Sequence, residues 1–343
     1  MKPIELRSDT FTLPAPEMRR AMADAELGDD VFGEDPTVNR LEALMAERMG
    51  KEAAVFVTSG TQGNLIAMLT HCPRGAEVIV GENAHIPTFE GGGSSIVGGL
   101  GLRLVRTDAK GRLDLGHVRE NIRPDDEHFP RTRLICVENT HNRAGGMVQN
   151  EEDLAAVRGL ADRRGLPVHI DGARVFNAAV KLAVPVANLA AFGDSISICL
   201  SKGLGCPVGS LLCGTKDFIH EARRNRKMLG GGMRQAGVLA AAGIYALENM
   251  VDRLAEDHEN ARIASEGLAA MPGVKLAPPP DTNLLYFTVD GWNARKLEER
   301  LNAAGVRCFD EAGRIRWVTH YGITRADIDE ALDRTRKVLS AGA

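Results

Sequence analysis

A chain of 343 residues, 44% hydrophobic and 26% charged, is long enough for more than one core and has the composition of a globular protein. A formal net charge of −4 without a basic block excludes the footprint of a nucleic-acid-binding protein. Gly, Asp or Lys interrupts every apolar stretch before it reaches the length of a membrane span.

The N-terminus, MKPIELRSDTFTLP, has no signal-like apolar core. Asp35-Pro36 then opens a helix, with Val38, Leu41, Met45 and Met49 as its apolar stripe and Gly50 as its end. AAVFVTSG reads as a strand and turn, and NLIAMLTHC as a helix. AEVIVGE, LRLVRTD, RLICVENT, LPVHIDGA, SISICLSK and GSLLCG all read as strands, several of them apolar on both faces, as in a covered, mainly parallel sheet. Helices such as EEDLAAVRGLADRRG separate them, so the fold class is α/β. From Gly243 the pattern turns to long helix through EDHENARIASEGLAAMPG, and Pro278–Pro280 punctuate the chain. Beyond lie a strand (TNLLYFTV), a helix (ARKLEERLNAAG), strands (VRCF, RIRWVTH) and a last helix from Thr324 with Ile328, Leu332, Thr335 and Leu339 on one face. We divide the chain into a large domain over 1–245 and a small α+β domain over 246–343.

Cys72, Cys136, Cys199, Cys206, Cys213 and Cys308 form no CxxC pair, and buried free thiols in a reducing cytoplasm are expected. The nine histidines include no HExxH and no cluster of zinc spacing, so no metal is expected.

The unusual stretch is CLSKGLGCPVGS, where Lys202 sits on a tight turn between two apolar runs. A snorkelling lysine is the ordinary explanation; the alternative is a catalytic amine, buried at a sheet edge and kept neutral by desolvation and nearby cations. Four other stretches bear on the choice. In VHIDGARVFNAA, Asp171 follows an apolar strand, where open α/β sheets place ligands; it is a turn former or a carboxylate for a cationic ring nitrogen. Arg174 either pairs with it or grips a substrate carboxylate bidentately. In VTSGTQGNLIAM, Ser59, Gly60 and Thr61 stand where a helix begins and exposed N–H groups make an anion cup, without a Walker or GxGxxG pattern. In GENAHIPTFEGGG, His85 is a surface residue or a ring stacker that handles protons. In RNRKMLGGGMRQAG, consecutive glycines between Lys227 and Arg234 suit close approach to an anion or another chain. An amine, an acid, a stacker and a phosphate cup are what pyridoxal phosphate requires.

RSDTFTLP (7–14), GDDVFGEDPT (28–37), SGTQGN (59–64), GENAHI (81–86), HFPRTRLICVENTHN (128–142), HIDGAR (169–174), SKGLGCPVGS (201–210), KMLGGGMRQAG (227–237) and RWVTH (316–320) together resemble the low-specificity L-threonine aldolases, in the fold type I group of pyridoxal phosphate enzymes. The resemblance implies a fold type I large domain with a mainly parallel sheet and a smaller α+β domain. It implies Lys202 as the Schiff-base lysine, Asp171 as the pyridinium partner, His85 as the ring stacker, and Ser59, Gly60 and Thr61 around the phosphate. Ser8, Arg174 and Arg316 resemble the carboxylate clamp, and His128 the histidine near the substrate β-hydroxyl; His85, His128 or a held water is the base. Lys227 and Arg234 match basic positions that reach a site across a subunit interface in relatives, which implies a homotetramer built from dimers. Relatives usually carry tyrosine where this chain has Phe32, and aromatic residues where it has Pro87 and Phe89, so the range of aldehydes is in question. The implied reaction is reversible retro-aldol cleavage of L-threonine, L-allo-threonine or related L-3-hydroxy-α-amino acids to glycine and an aldehyde. β-Elimination, transamination, a preference for a bulkier substrate such as phenylserine, and a non-catalytic binding protein are the alternatives.

Overall fold

The computed structural model describes residues 2–276 and 278–342. The apolar strands assemble into one seven-stranded sheet. In chain order they are β1 (Ala53–Val57), β2 (Glu77–Gly81), β3 (Gly101–Val105), β4 (Thr132–Glu138), β5 (Val168–Asp171), β6 (Ser195–Cys199) and β7 (Ser210–Gly214). Their spatial order is β1-β7-β6-β5-β4-β2-β3, and only β7 runs against the rest. Both faces are covered, which is why the strands lack alternation: Ile79 and Ile135 face one core, while Val78, Val80, Leu134 and Cys136 face another.

Local signals act as read. Asp35 caps the helix Pro36–Met49 by accepting from the Thr37 and Val38 N–H groups, and Val38, Leu41, Met45 and Met49 are all fully buried. The expected long helix is instead two, Gly237–Asn249 and Leu254–Ala269. The break re-aims the chain: Leu254 still packs in the core of the large sheet, whereas Ala261, Ala264 and Leu268 pack in a second core.

That second core underlies a four-stranded antiparallel sheet of β8 (Val274–Leu276), β9 (Leu284–Val289), β10 (Phe309–Glu311) and β11 (Arg314–Val318), in the order β10-β11-β9-β8. VRCF, read as one strand, is divided: Val306–Arg307 pairs in parallel with Ile4–Glu5, and β10 begins at Phe309. Ile4 and Leu6 therefore bury themselves in the second core, and this anchors the segment carrying Ser8 and Asp9. Thr324 caps the last helix, Arg325–Ser340. All six cysteines are free and buried, and burial pushes the thiols of Cys72, Cys136, Cys206, Cys213 and Cys308 up. No helix among the described residues is long and apolar enough to cross a membrane.

Candidate active site

Parallel strands release their following loops at one edge of a sheet. Ser59–Thr61 after β1, His85 after β2, Asn142 after β4, Asp171 at the end of β5 and Lys202 after β6 therefore meet at one rim. Ligand atoms of His85, Glu90 and Asp171 lie within 4.8 Å of one another.

The helix Gly60–His71 starts with an N-cap in which Ser59 Oγ accepts from the Gln62 N–H at 3.1 Å. The Gly60 and Thr61 N–H groups have no protein partner among the described residues, and they form the cup. A Cβ at Gly60 would lie 2.6 Å from Cys199 Sγ, so only glycine lets the cup rest on the end of β6. A Cβ at Gly231 would lie 2.4 Å from the Gln62 amide, which brings the glycine run against the cup's first turn. In the last turn of the preceding helix, Lys216–Met228, Lys227 is exposed, and beyond the glycines Arg234 pairs with Asp29 at 3.0 Å and lies over the Phe32 ring.

Asp171 is buried, and its carboxylate accepts from the Ala173 N–H (3.2 Å) and from Asn64 Nδ2 (2.9 Å). His85 is fixed at both ends. Its backbone N–H donates to Glu138 Oε2 (2.6 Å), and its ring Nδ1 meets Glu90 Oε1 (2.9 Å). Burial lowers the His85 pKa, but the Glu90 hydrogen bond and the Asp171 charge outweigh it, and the net shift is upward. Burial and the neighbouring Asp171 carboxylate push Glu90 up, although its hydrogen bonds to His85 and Asn64 oppose this.

Arg174 does not present a free fork. Its Nε and Nη2 donate to the two oxygens of Asp9 at 2.7 Å each, in a fully buried bidentate pair. Burial alone would raise the Asp9 carboxyl, but the Arg174 guanidinium holds it well below the usual carboxylate range. Only Nη1 of Arg174 lies outside the pair, and it donates to Asn142 Oδ1 (3.3 Å), which also accepts from Arg316 Nη2 (3.0 Å). Arg316 Nε is buried without a hydrogen-bond partner. Buried Ser8 accepts from the Thr10 N–H at the same mouth. Asp9 thus occupies the Nε–Nη2 edge of Arg174, and Arg174 and Arg316 share the Asn142 oxygen, with Glu311 Oε2 3.7 Å from Arg316 Nε.

Lys202 is half-buried rather than buried, because its turn stands at the rim with the sheet below it only. Its amine has no protein hydrogen-bond partner among the described residues, and its charge acts on both Asp9 and His85. His128 stands elsewhere. Its side chain is 77% exposed and holds Asp126. Its neighbour Phe129 stacks on Arg123, which reaches Glu77 at the start of β2, the opposite end of the sheet. β4 returns the chain from that end to the site over seven residues, roughly 20 Å.

The sequence reading missed Asp9, Glu90, Glu138, Asn142, Asn64 and His169. The available signal was polarity inside apolar segments: a histidine in VHID, and an asparagine opening NLIAM. The geometry fits pyridoxal phosphate: free N–H groups for the phosphate, a buried carboxylate for the ring nitrogen, an imidazole beside it, and an unpartnered amine.

A family model described as beta-eliminating lyase matches residues 5–291. The chain is 47% identical to the Escherichia coli low specificity L-threonine aldolase, covering 98% of this chain and 99% of that one. It is 45% identical to low-specificity L-threonine aldolase 1 of Arabidopsis thaliana, covering 97% and 95%. The solved structure of Leishmania major threonine aldolase superposes with a TM-score of 0.85 at 21% identity, over 98% of this chain and 100% of that one, and so shares the fold. The chain belongs to the beta-eliminating lyase family and, within it, to the low-specificity L-threonine aldolases.

Proposed function

We propose that this chain cleaves the Cα–Cβ bond of L-threonine, L-allo-threonine and related L-3-hydroxy-α-amino acids, reversibly, to glycine and an aldehyde. The observation that carries the reading is the meeting of Lys202, Asp171, His85 and the Gly60–Thr61 cup at one sheet edge, beneath two arginines. Pyridoxal phosphate, when bound there, supplies the electron sink for the broken bond.

The chain's own residues do the rest. Lys202 supplies the amine that holds the cofactor, and Asp171 faces its ring nitrogen. Gly60 and Thr61 donate N–H groups to its phosphate, with Ser59 fixing their turn. Arg316 Nε and Arg174 Nη1 hold the substrate carboxylate beside Ser8, with Asn142 keeping the two guanidiniums in register. That grip would fix which bond at Cα is presented for cleavage, and so would favour cleavage over β-elimination or transamination. His85 is the base we assign: Glu90 holds Nδ1, so Nε2 faces the β-hydroxyl and takes its proton.

His128 lies at the far end of its own sheet, so it serves the site of another copy. A cleft of about 950 Å³ lined by Asp30, Phe32, Arg224, Lys227, Met228 and Gly232 supports a shared site. Phe32 and Met228 are 73% and 66% exposed there, more apolar surface than a single chain usually leaves uncovered. A homotetramer of two such dimers, in a reducing cytoplasm that suits six free thiols, is the assembly we assign.

The test is incubation of the cofactor-loaded protein with L-threonine, L-allo-threonine and their D-enantiomers, measuring acetaldehyde and glycine together. Equimolar products from the L-forms alone are expected. Keto acid without aldehyde would replace the reaction, and aldehyde released only from phenylserine would replace the substrate.

A further inference from the structure

A run of polar side chains extends from Asp171 through Asn64, and the mechanism above does not use it. Asn64 Nδ2 donates to Asp171 Oδ2 (2.9 Å) and Glu90 Oε1 (2.7 Å). Because both partners are carboxylates, the atom between them is the amide nitrogen, and this fixes which way Asn64 points. Its Oδ1 then accepts from Ser197 Oγ (2.6 Å) and from His169 Nε2 (3.0 Å). His169 is fully buried, and burial pushes its pKa down to about 3, so the ring is neutral and carries its single proton on Nε2. Its Nδ1 must accept, and Ser195 Oγ at 2.9 Å is the donor. Having given its proton to His169, Ser195 accepts from His71 Nε2 at 2.8 Å. His71 is half-buried at the end of the helix that Gly60 begins, two turns from Asn64 on the same face.

Every bond in this run therefore points the same way: His71 to Ser195, Ser195 to His169, His169 to Asn64, Asn64 to Asp171. We propose that His71, Ser195, His169 and Asn64 are positioning residues forming a one-way hydrogen-bond chain. Its positive end abuts Asp171, holding that carboxylate aimed at a cationic ring nitrogen. Aligned donors in an interior of low dielectric reinforce one another. The chain supplies fixed dipoles and moves no proton. It explains why two adjacent, fully buried strands carry His169 on β5 and Ser195 and Ser197 on β6, where apolar residues would pack as well.

The inference rests on the pyridoxal phosphate reading of the site, and the experiment separates the two. His169→Phe fills the space without polar groups. His169→Gln restores the polarity, because its amide donates at one end and accepts at the other. Cofactor dissociation constants are measured by spectral titration of the apoprotein, in the parent and in an Asp171→Ala background, beside the melting temperature of each apoprotein. The Phe variant should bind about tenfold more weakly than the parent, roughly the effect of one buried neutral hydrogen bond, and the Gln variant within about threefold. In the Asp171→Ala background, His169→Phe should change affinity by less than about twofold. An equal loss in both backgrounds, or no rescue by Gln, would overturn the chain and leave His169 as packing. Asp171→Ala binding pyridoxal phosphate as tightly as the parent would instead sink the site reading. Should the Phe variant fail to fold, His71→Phe at the half-buried end gives a smaller loss with the same dependence on Asp171; no loss there would equally overturn the proposal.

Discussion

The inner side of the site and its outer loops are built differently. Asp171, Arg174, His85 and Asn142 are each held by at least two named bonds inside one chain, and nearly all of those partners are buried. Lys227, Phe32 and His128 stand exposed, and Arg234 and His128 are held only by exposed or half-exposed acids. The inner side sets reaction type and needs fixed geometry, so it is made from strand ends. In the function we propose, the outer loops would meet the leaving aldehyde and another copy, and a single chain leaves them open.

The largest effect should come from the amine. Lys202→Ala should abolish turnover and the visible absorbance of bound cofactor, while the apoprotein melts as the parent does, since Lys202 makes no side-chain hydrogen bond among the described residues. Normal turnover in that variant would remove Lys202 from the site. Asp9→Asn should come next. It strips the charge from a fully buried bidentate pair and leaves Arg174 uncompensated, costing about 3–5 kcal/mol of stability by urea unfolding. A loss below about 1 kcal/mol would mean that Arg174 finds another partner and that the clamp is less rigid than the bonds imply.

Acid should expose the same contrast. Burial holds His71 at about 4, His169 at about 3 and His258 at about 4, all below the ordinary 6.5 of an unfolded chain. Between those values the unfolded state binds protons that the folded state refuses, so stability falls as pH drops from about 6.5 towards 4. Each histidine contributes at most about 1.4 kcal/mol per pH unit in that window. His258→Gln removes one contributor outside the site, and its unfolding free energy should fall less steeply with acid by about that amount. An unchanged slope would show that His258 titrates alike folded and unfolded.

Much of this was legible in the sequence, for a definite reason. Strands buried on both faces announce themselves as apolar runs, and Asp171 and Lys202 come directly after such runs, so their arrival at one edge follows from parallel topology. Asp9 and Asn142 were illegible because their partners are remote: Asp9 meets Arg174 from 165 positions away. The pairing of Ile4–Glu5 with Val306–Arg307 helps carry that segment to the mouth, and a two-residue parallel bridge has no sequence signal of its own. The place of His128 within its own chain was illegible for the opposite reason. It stands four residues before Thr132, where β4 begins, and so close to a strand whose far end enters the site, yet the loop is pinned by Arg123 and Glu77 at the near end.

The open loops make the last and smallest prediction. If His128 serves another copy's site, two damaged chains should repair each other. A Lys202→Ala chain lacks the amine but offers an intact His128, and a His128→Ala chain has the amine but lacks the imidazole. Homo-oligomers of the first are inactive and those of the second are slow. When the two are unfolded together and refolded as a mixture, half of the dimers are mixed, and each mixed dimer has one complete site. Recovery to about a quarter of parental turnover is then expected, by random pairing in a two-fold assembly. If His128 acted within its own chain, each mixed dimer would hold one site without the amine and one without the imidazole. Turnover would then stay at half that of the His128→Ala protein, the fraction of chains that keep Lys202. The outcome divides a shared site from a self-contained one without any assumption about which proton His128 touches.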